Sequence, residues 1–250
     1  MITLRSRYIP VLLVKNRQLY KTVQFNKDIK YIGDPINAIR IFNEKEVDEI
    51  CVLDIEASKI GAEPNFDFVK DIASECFMPL GYGGGIRNMY QIERLFRLGI
   101  EKVILNSQLL NDTGLISEAS RHFGSQSIVA SVDVKRNLFG QYLVYSHTKK
   151  DTLKMKLEEH IKNIVDAGAG ELILNSVDRD GMMQGFDLNL IVKISKLINI
   201  PLVALGGAGN IQDLETALQS GAHAAAAGSL FIYKGPHKAV LINYPTEKLK

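Results

Sequence analysis

PLVALGGAGNIQDLETALQSGAHAAAAGS, residues Pro201–Ser229, carries in one passage a strand, a glycine turn, a helix and the start of a second strand. Leu202–Leu205 is an apolar run of strand length, the chain reverses through Gly206, Gly207 and Gly209, and Ile211, Leu214, Ala217 and Leu218 then recur at helical spacing. A run of small residues follows and closes at Gly228 and Ser229. Glycines between a strand and a helix let backbone N–H groups come close to an anion, which the helix N-terminus also favours. The passage predicts a phosphate cradle, although Gly206 and Gly207 taken alone fit a simple chain reversal equally well.

The segment Pro79–Ser107, PLGYGGGIRNMYQIERLFRLGIEKVILNS, aligns with this passage without a gap at a constant offset of 122 residues. Pro79, Leu80, Gly84, Gly85, Asn88, Glu93, Gly99 and Ser107 recur as Pro201, Leu202, Gly206, Gly207, Asn210, Glu215, Gly221 and Ser229. The same offset sets Glu49 on Glu171 and Ile50–Leu53 on Leu172–Asn175. The chain therefore reads as a duplicated half. At 250 residues and 46% apolar it has the size of one large domain, residues 1–250, with half-barrels of about 1–122 and 123–250.

In chain order, Tyr8–Val14 predicts a first strand and Lys15–Lys30 a polar loop. Asp34 caps a helix with Pro35 at its first position. Glu49–Ile55, Pro79–Tyr82 and Lys102–Asn106 follow as strands two to four, with helices over Phe66–Ser74 and from Asn88. The second half gives strands at Ser127–Val134, Glu171–Ser176, Leu202–Leu205 and Ala224–Gly228, helices around Leu157–Val165 and Leu188–Leu197, and a small hairpin within Lys135–Asp151. Eight strands alternating with helices imply an all-parallel sheet, and two like halves favour closure into a (β/α)8 TIM barrel.

In such a barrel the ligand lies at the C-terminal ends of the strands. One phosphate cradle of Gly85, Asn106 and Ser107 and a second of Gly207, Gly228 and Ser229 would hold a long ligand phosphorylated at both ends, unless Ser107 and Ser229 only cap the helices after them. A net charge of +2 with dispersed lysines and arginines gives no nucleic-acid surface, and no signal or membrane-spanning run is found, so a cytoplasmic protein is expected. The two cysteines do not suggest a disulfide framework. The five histidines, His147 among them, show no ligand spacing, so no metal and no cofactor is expected.

The runs RYIPVLLVK, VDEICVLDIEAS, GYGGGI, FGSQSIVASVDVKR, GAGELILNSVDRDG and LGGAGN resemble the cyclase subunit of imidazole glycerol phosphate synthase over nearly the whole chain. The resemblance implies a (β/α)8 barrel bound to a glutaminase as a heterodimer. The glutaminase's ammonia crosses the barrel and cyclises a bisphosphorylated ribulosyl intermediate. It implies an ammonia gate of Arg7, Glu49, Lys102 and Glu171 at the strand starts, which as single residues would otherwise read as solvated charges. It further implies that Lys21, which otherwise reads as a solvated loop lysine, closes over the ligand, and that Asp133 at the end of strand five transfers protons. Asp54, Asn175 and Asp180 fall at strand ends where they would orient the ligand, although Asp180-Gly181 fits a turn equally well.

The family's second carboxylate belongs at the end of strand one, where this sequence has Leu13: Leu13-Val14-Lys15 stands against Asp133-Val134-Lys135. Leucine cannot transfer a proton, and one acid–base group usually supplies about 10²–10⁴-fold. Together with the ending KAVLINYPTEKLK, this resembles a paralogous branch found with bacterial surface-sugar gene products. In that branch the barrel and a glutaminase feed ammonia to a sugar amidotransferase, which turns an acetamido group into an acetamidino group. A cyclase with its acid relocated to Asp54 or Asp180, and a non-catalytic scaffold barrel, are the alternatives.

Overall fold

The eight barrel strands are β1 (Arg7–Lys15), β2 (Ile50–Asp54), β3 (Leu80–Gly83), β4 (Lys102–Leu105), β5 (Ile128–Arg136), β6 (Glu171–Ser176), β7 (Leu202–Leu205) and β8 (Ala224–Ala227). Each pairs in parallel with the next, and β8 returns to β1 with Tyr8 opposite Ala225, so the sheet is closed. This computed structural model describes residues 6–25 and 27–245; the last five residues of KAVLINYPTEKLK lie outside the described residues.

The period-2 alternation of strands divides each one between two cores. Ile9, Val11, Cys51, Ile104, Val129, Ile173, Val203, Ala224 and Ala226 point into the barrel, with Leu13 and Leu53 packed on them. Leu12, Val14, Ile50, Val52, Leu80 and Tyr82 point outward under the helices. With both faces buried, the strands read as nearly continuous apolar runs.

Besides a single turn at Ala57–Ile60, the α-helices of the described residues are α1 (Pro35–Glu44), α2 (Phe66–Glu75), α3 (Met89–Arg97), α4 (Gly114–Phe123), α5 (Leu157–Asp166), α6 (Leu188–Ser195), α7 (Ile211–Gln219) and the short α8 (Ser229–Ile232). Asp34 accepts from the Ile36 N–H at 2.9 Å, with Pro35 opening α1 as the sequence predicts. Asn88 and Asn210, equivalent in the two halves, cap α3 and α7 in the same way, each accepting at 3.0 Å from the amide three residues on. Where a full eighth helix would lie, α8 ends after four residues and is followed by a two-stranded ribbon, Tyr233–Lys234 with Ala239–Val240.

The structure corrects one element. The polar stretch Lys15–Lys30 is not a loop but most of a hairpin, Gln18–Val23 with Lys27–Gly33, which pairs antiparallel with the end of β1. Asn16 and Arg17, both at positive φ, make the tight reversal before it, and the buried Leu19 anchors it. The second hairpin forms as expected, with Tyr142–Ser146 folding back on the end of β5. Boundaries differ by a residue or two: β2 begins at Ile50 and α6 ends at Ser195.

Candidate functional site

A cavity of about 360 Å³ opens at the C-terminal ends of the strands. Its floor is apolar, made by Leu13, Leu53, Ile104 and Leu205, which cap the inner core. Its walls carry Lys21, Asp54, Gly85, Asn106, Ser107, Asp133, Asn175 and Asp180. A smaller cavity adjoins it and brings together Gly207, Gly228 and Ser229 with Lys21 and Asp180.

The first cradle is set by backbone that only glycine tolerates. Gly84 has φ +123°, and a Cβ there would lie 2.6 Å from the Asp54 carbonyl oxygen. Gly85 has φ +73°, and its Cβ would lie 2.7 Å from the Ala62 carbonyl oxygen. The Gly85 N–H donates to Ser58 Oγ at 3.2 Å, so Ser58 holds the turn from the β2 side. Ser107 Oγ is buried with no hydrogen-bond partner among the described residues. An orphaned hydroxyl facing a cavity is what an acceptor-rich ligand would satisfy. Neither of the short helices opening at Ser107 and Ser229 has a side-chain cap, so capping does not account for the two serines.

In the second cradle, a Cβ at Gly207 would run into the Gly185 carbonyl oxygen, and one at Gly228 into Lys21 Nζ. The hairpin after β1 delivers that lysine, and Nζ donates to the Val11 carbonyl at 3.1 Å. Burial lowers Lys21 to about 8 against the opposing charge of Asp180. Burial raises Asp180 to about 6, opposed by Lys21 and by the Phe25 amide. Asp180 Oδ2 has no partner among the described residues. Both line the second cradle, and the charge of each opposes the effect of burial on the other.

Asp133 is buried on β5, with Oδ2 accepting from Asn106 Nδ2 at 3.0 Å and Oδ1 from Asn175 Nδ2 at 3.2 Å. Asn106 and Asn175 thus aim the aspartate with their amides, while Asn175 Oδ1 stays without a partner among the described residues. Burial pushes Asp133 up to about 7; the two asparagine bonds pull it down and Asp180's charge adds to the rise. Asp54 lines the cavity, but its Oδ1 accepts from the Glu56 and Ala57 amides at 2.9 Å each and holds the turn after β2.

His147 joins this wall, its Nδ1 3.9 Å from Asp133 Oδ2. Burial, reinforced by the charge of Lys59, lowers it to about 4, so the ring is neutral at pH 7. Sequence reasoning passed over it. The only signal was its place one residue beyond the alternating hairpin strand that carries the chain back to the mouth.

The raised aspartate has a consequence for stability. A carboxylate whose folded pKa is above its unfolded value stabilises the fold below the unfolded value, about 3.8 here, and that contribution is lost as pH rises through about 7. Asp133→Asn is therefore expected to gain stability relative to wild type as pH rises from 4 to 8, by on the order of 4 kcal/mol at the upper end. Thermal melts across that range check this; a difference independent of pH would contradict the burial of an ionisable Asp133.

At the opposite end of the barrel, Arg7, Glu49, Lys102 and Glu171 form a closed ring of ion pairs. Arg7 Nη1 bonds Glu49 and Nη2 bonds Glu171, while Lys102 Nζ reaches Glu49 Oε2 and Glu171 Oε2 at 2.8 Å each. Both glutamates are buried and both cations are partly exposed. Burial would raise Glu171, but the bonds and charges of Arg7 and Lys102 outweigh it and hold the carboxyl below its usual range. The inner-core residues Cys51 and Ile104 lie two positions on from Glu49 and Lys102 along the chain. No cluster of His, Cys, Asp and Glu suited to a metal ion and no helix long and apolar enough to cross a membrane occurs among the described residues.

Comparison with known proteins agrees with this architecture. The profile of the histidine biosynthesis protein family matches residues 7–238. A Pseudomonas aeruginosa protein provisionally named imidazole glycerol phosphate synthase subunit hisF2 is 48% identical, over 96% of each chain. The imidazole glycerol phosphate synthase subunit HisF of Alkaliphilus metalliredigens is 40% identical over 91% of this chain and 90% of its own. A provisionally named hisF2 subunit of Campylobacter jejuni is 43% identical over the same shares. A closed parallel barrel, a near-complete profile match and this level of identity place the chain in the histidine biosynthesis protein family, as a divergent member of its imidazole glycerol phosphate synthase HisF-type branch.

Proposed function

We propose that this chain is the barrel subunit of a glutamine-dependent amidotransferase complex. It receives ammonia from a synthase-type glutaminase docked at the ion ring and passes it through the inner core to the cavity, for amidination of a surface-polysaccharide sugar by a separate amidotransferase. The observation that carries this reading is Leu13. It lies on the floor of the cavity that Asp133 lines, at the place where a cyclase needs its second carboxylate. The ring supports an ammonia entrance, since four alternating charges close the foot of an apolar lumen. The two cradles are then kept for a phosphorylated ligand that signals to the glutaminase.

A second reading, a true cyclase with a relocated acid, is favoured by one observation. Asp180 is buried in the same mouth, beside Lys21, with its pKa raised towards neutrality. Asp54 fits that role less well because one of its oxygens already holds two amides.

The partner claim is tested by glutamine hydrolysis with the synthase-type glutaminase of the same genome. Adding this chain is expected to raise glutamate release by about tenfold or more, in the usual range of coupling between sites. Glutaminase activity indifferent to the barrel, with no heterodimer on size exclusion, would overturn it.

A further inference from the structure

After the ribbon that replaces a full eighth helix, the chain runs on as a strap, Leu241–Pro245. It is pinned first to α8: the Leu241 N–H donates to the Ile232 carbonyl and the Asn243 N–H to the Phe231 carbonyl, each at 2.9 Å. The Tyr244 ring then packs on Phe231 at 5.2 Å between centroids, and Tyr244 is only 4% exposed. A tyrosine buried to this degree needs a partner for its hydroxyl.

The partners it finds are at the ion ring. Tyr244 Oη donates towards the Tyr8 carbonyl at 3.3 Å and Asp48 Oδ2 at 3.4 Å. The same Asp48 oxygen accepts the Tyr8 N–H at 3.1 Å. Tyr8 and Asp48 are the chain neighbours of Arg7 and Glu49, which form one side of the ring. The hydroxyl thus bridges the feet of β1 and β2 at the level where those strands present the arginine and the glutamate to each other.

From this contact we infer that Tyr244 is a positioning residue for the ion ring: the strap clamps β1 to β2 and so fixes the Arg7–Glu49 side of the entrance. The inference rests on reading the ring as the ammonia gate of the glutaminase complex. A ring held by four side chains alone can open by rotamer changes; a hydroxyl that ties the β1 backbone at Tyr8 to the Asp48 carboxylate beside Glu49 makes the closed geometry the resting one. The same strap is anchored on α8, whose first residue, Ser229, lies in the second cradle. The wall between cradle and ring is therefore one bonded segment.

Tyr244→Phe removes the hydroxyl and keeps the ring against Phe231. Its test is glutamate release by the heterodimer with the same-genome glutaminase, at saturating barrel, beside Lys102→Ala, which breaks the ring directly. Saturation removes any effect of weaker folding or docking, and the melting temperature checks folding separately. Tyr244→Phe is expected to change turnover in the direction of Lys102→Ala by at least about threefold, as the loss of one hydrogen bond predicts. Combining the two should add little. If Lys102→Ala changes turnover and Tyr244→Phe does not, the strap has only a packing role and the inference is wrong. If Lys102→Ala changes nothing, the gate reading fails and the inference falls with it.

Discussion

Replacing Glu171 by leucine is expected to cost about 3–5 kcal/mol of folding stability, the usual result of removing one partner from a buried ionic network. Glu171 receives both Arg7 and Lys102, so its loss leaves two cations with only the Glu49 carboxylate between them. For a chain of this size that should lower the melting temperature by about 10 °C. The pH dependence identifies the cause. A carboxyl held below its unfolded value stabilises the fold above that value, about 4.5, and the contribution is lost as pH falls through the folded pKa. The gap between wild type and Glu171→Leu should therefore be full at pH 7 and shrink below pH 4.5. A gap of under ~1 kcal/mol at pH 7 would show the ring to behave as a set of solvated surface pairs.

Leu13→Asp is the second large effect, and it acts on chemistry. The new carboxylate would enter the cavity from β1, where Leu13 pairs with Leu53 in the parallel register and stands on the floor that Asp133 overlooks. Asp133 is already aimed by Asn106 and Asn175. The variant should thus possess both carboxylates of a cyclase, and ammonium-driven cyclisation of the bisphosphorylated ribulosyl intermediate should rise by about 10²–10⁴-fold over wild type. Such a gain would locate the missing step at one side chain. The introduced charge sits against Leu53 and Leu205, so some loss of stability is expected with it.

The barrel was legible because the sequence states it twice. Gly84–Gly85 and Gly206–Gly207 repeat at one offset, and each pair sits where a Cβ would strike backbone or a buried side chain, so the repeated glycines mark close approach. Asn88 and Asn210 repeat because each caps the same helix of its half. The charges at strand starts were readable once strand phase was known, since Glu49 and Glu171 directly precede or open inward-facing strands. Tertiary pairings were not readable. Lysines hid the hairpin after β1, whose strands are fixed by a two-residue reversal and one buried leucine. Asn106 reads as a cradle residue, yet its amide is spent on Asp133, a partner 27 residues away. Tyr244 lies in the ending KAVLINYPTEKLK, 236 residues from Tyr8, and only the fold brings its hydroxyl 3.3 Å from the Tyr8 carbonyl.

The most direct test of an ammonia-delivering barrel is turnover of the bisphosphorylated ribulosyl intermediate at high ammonium concentration, with wild type, Leu13→Asp and Asp133→Asn compared and no glutaminase present. Wild type should be inert, and Leu13→Asp should gain turnover that a further Asp133→Asn removes. Wild-type turnover abolished by Asp133→Asn alone would contradict the account and make this chain a cyclase with its acid moved to Asp180.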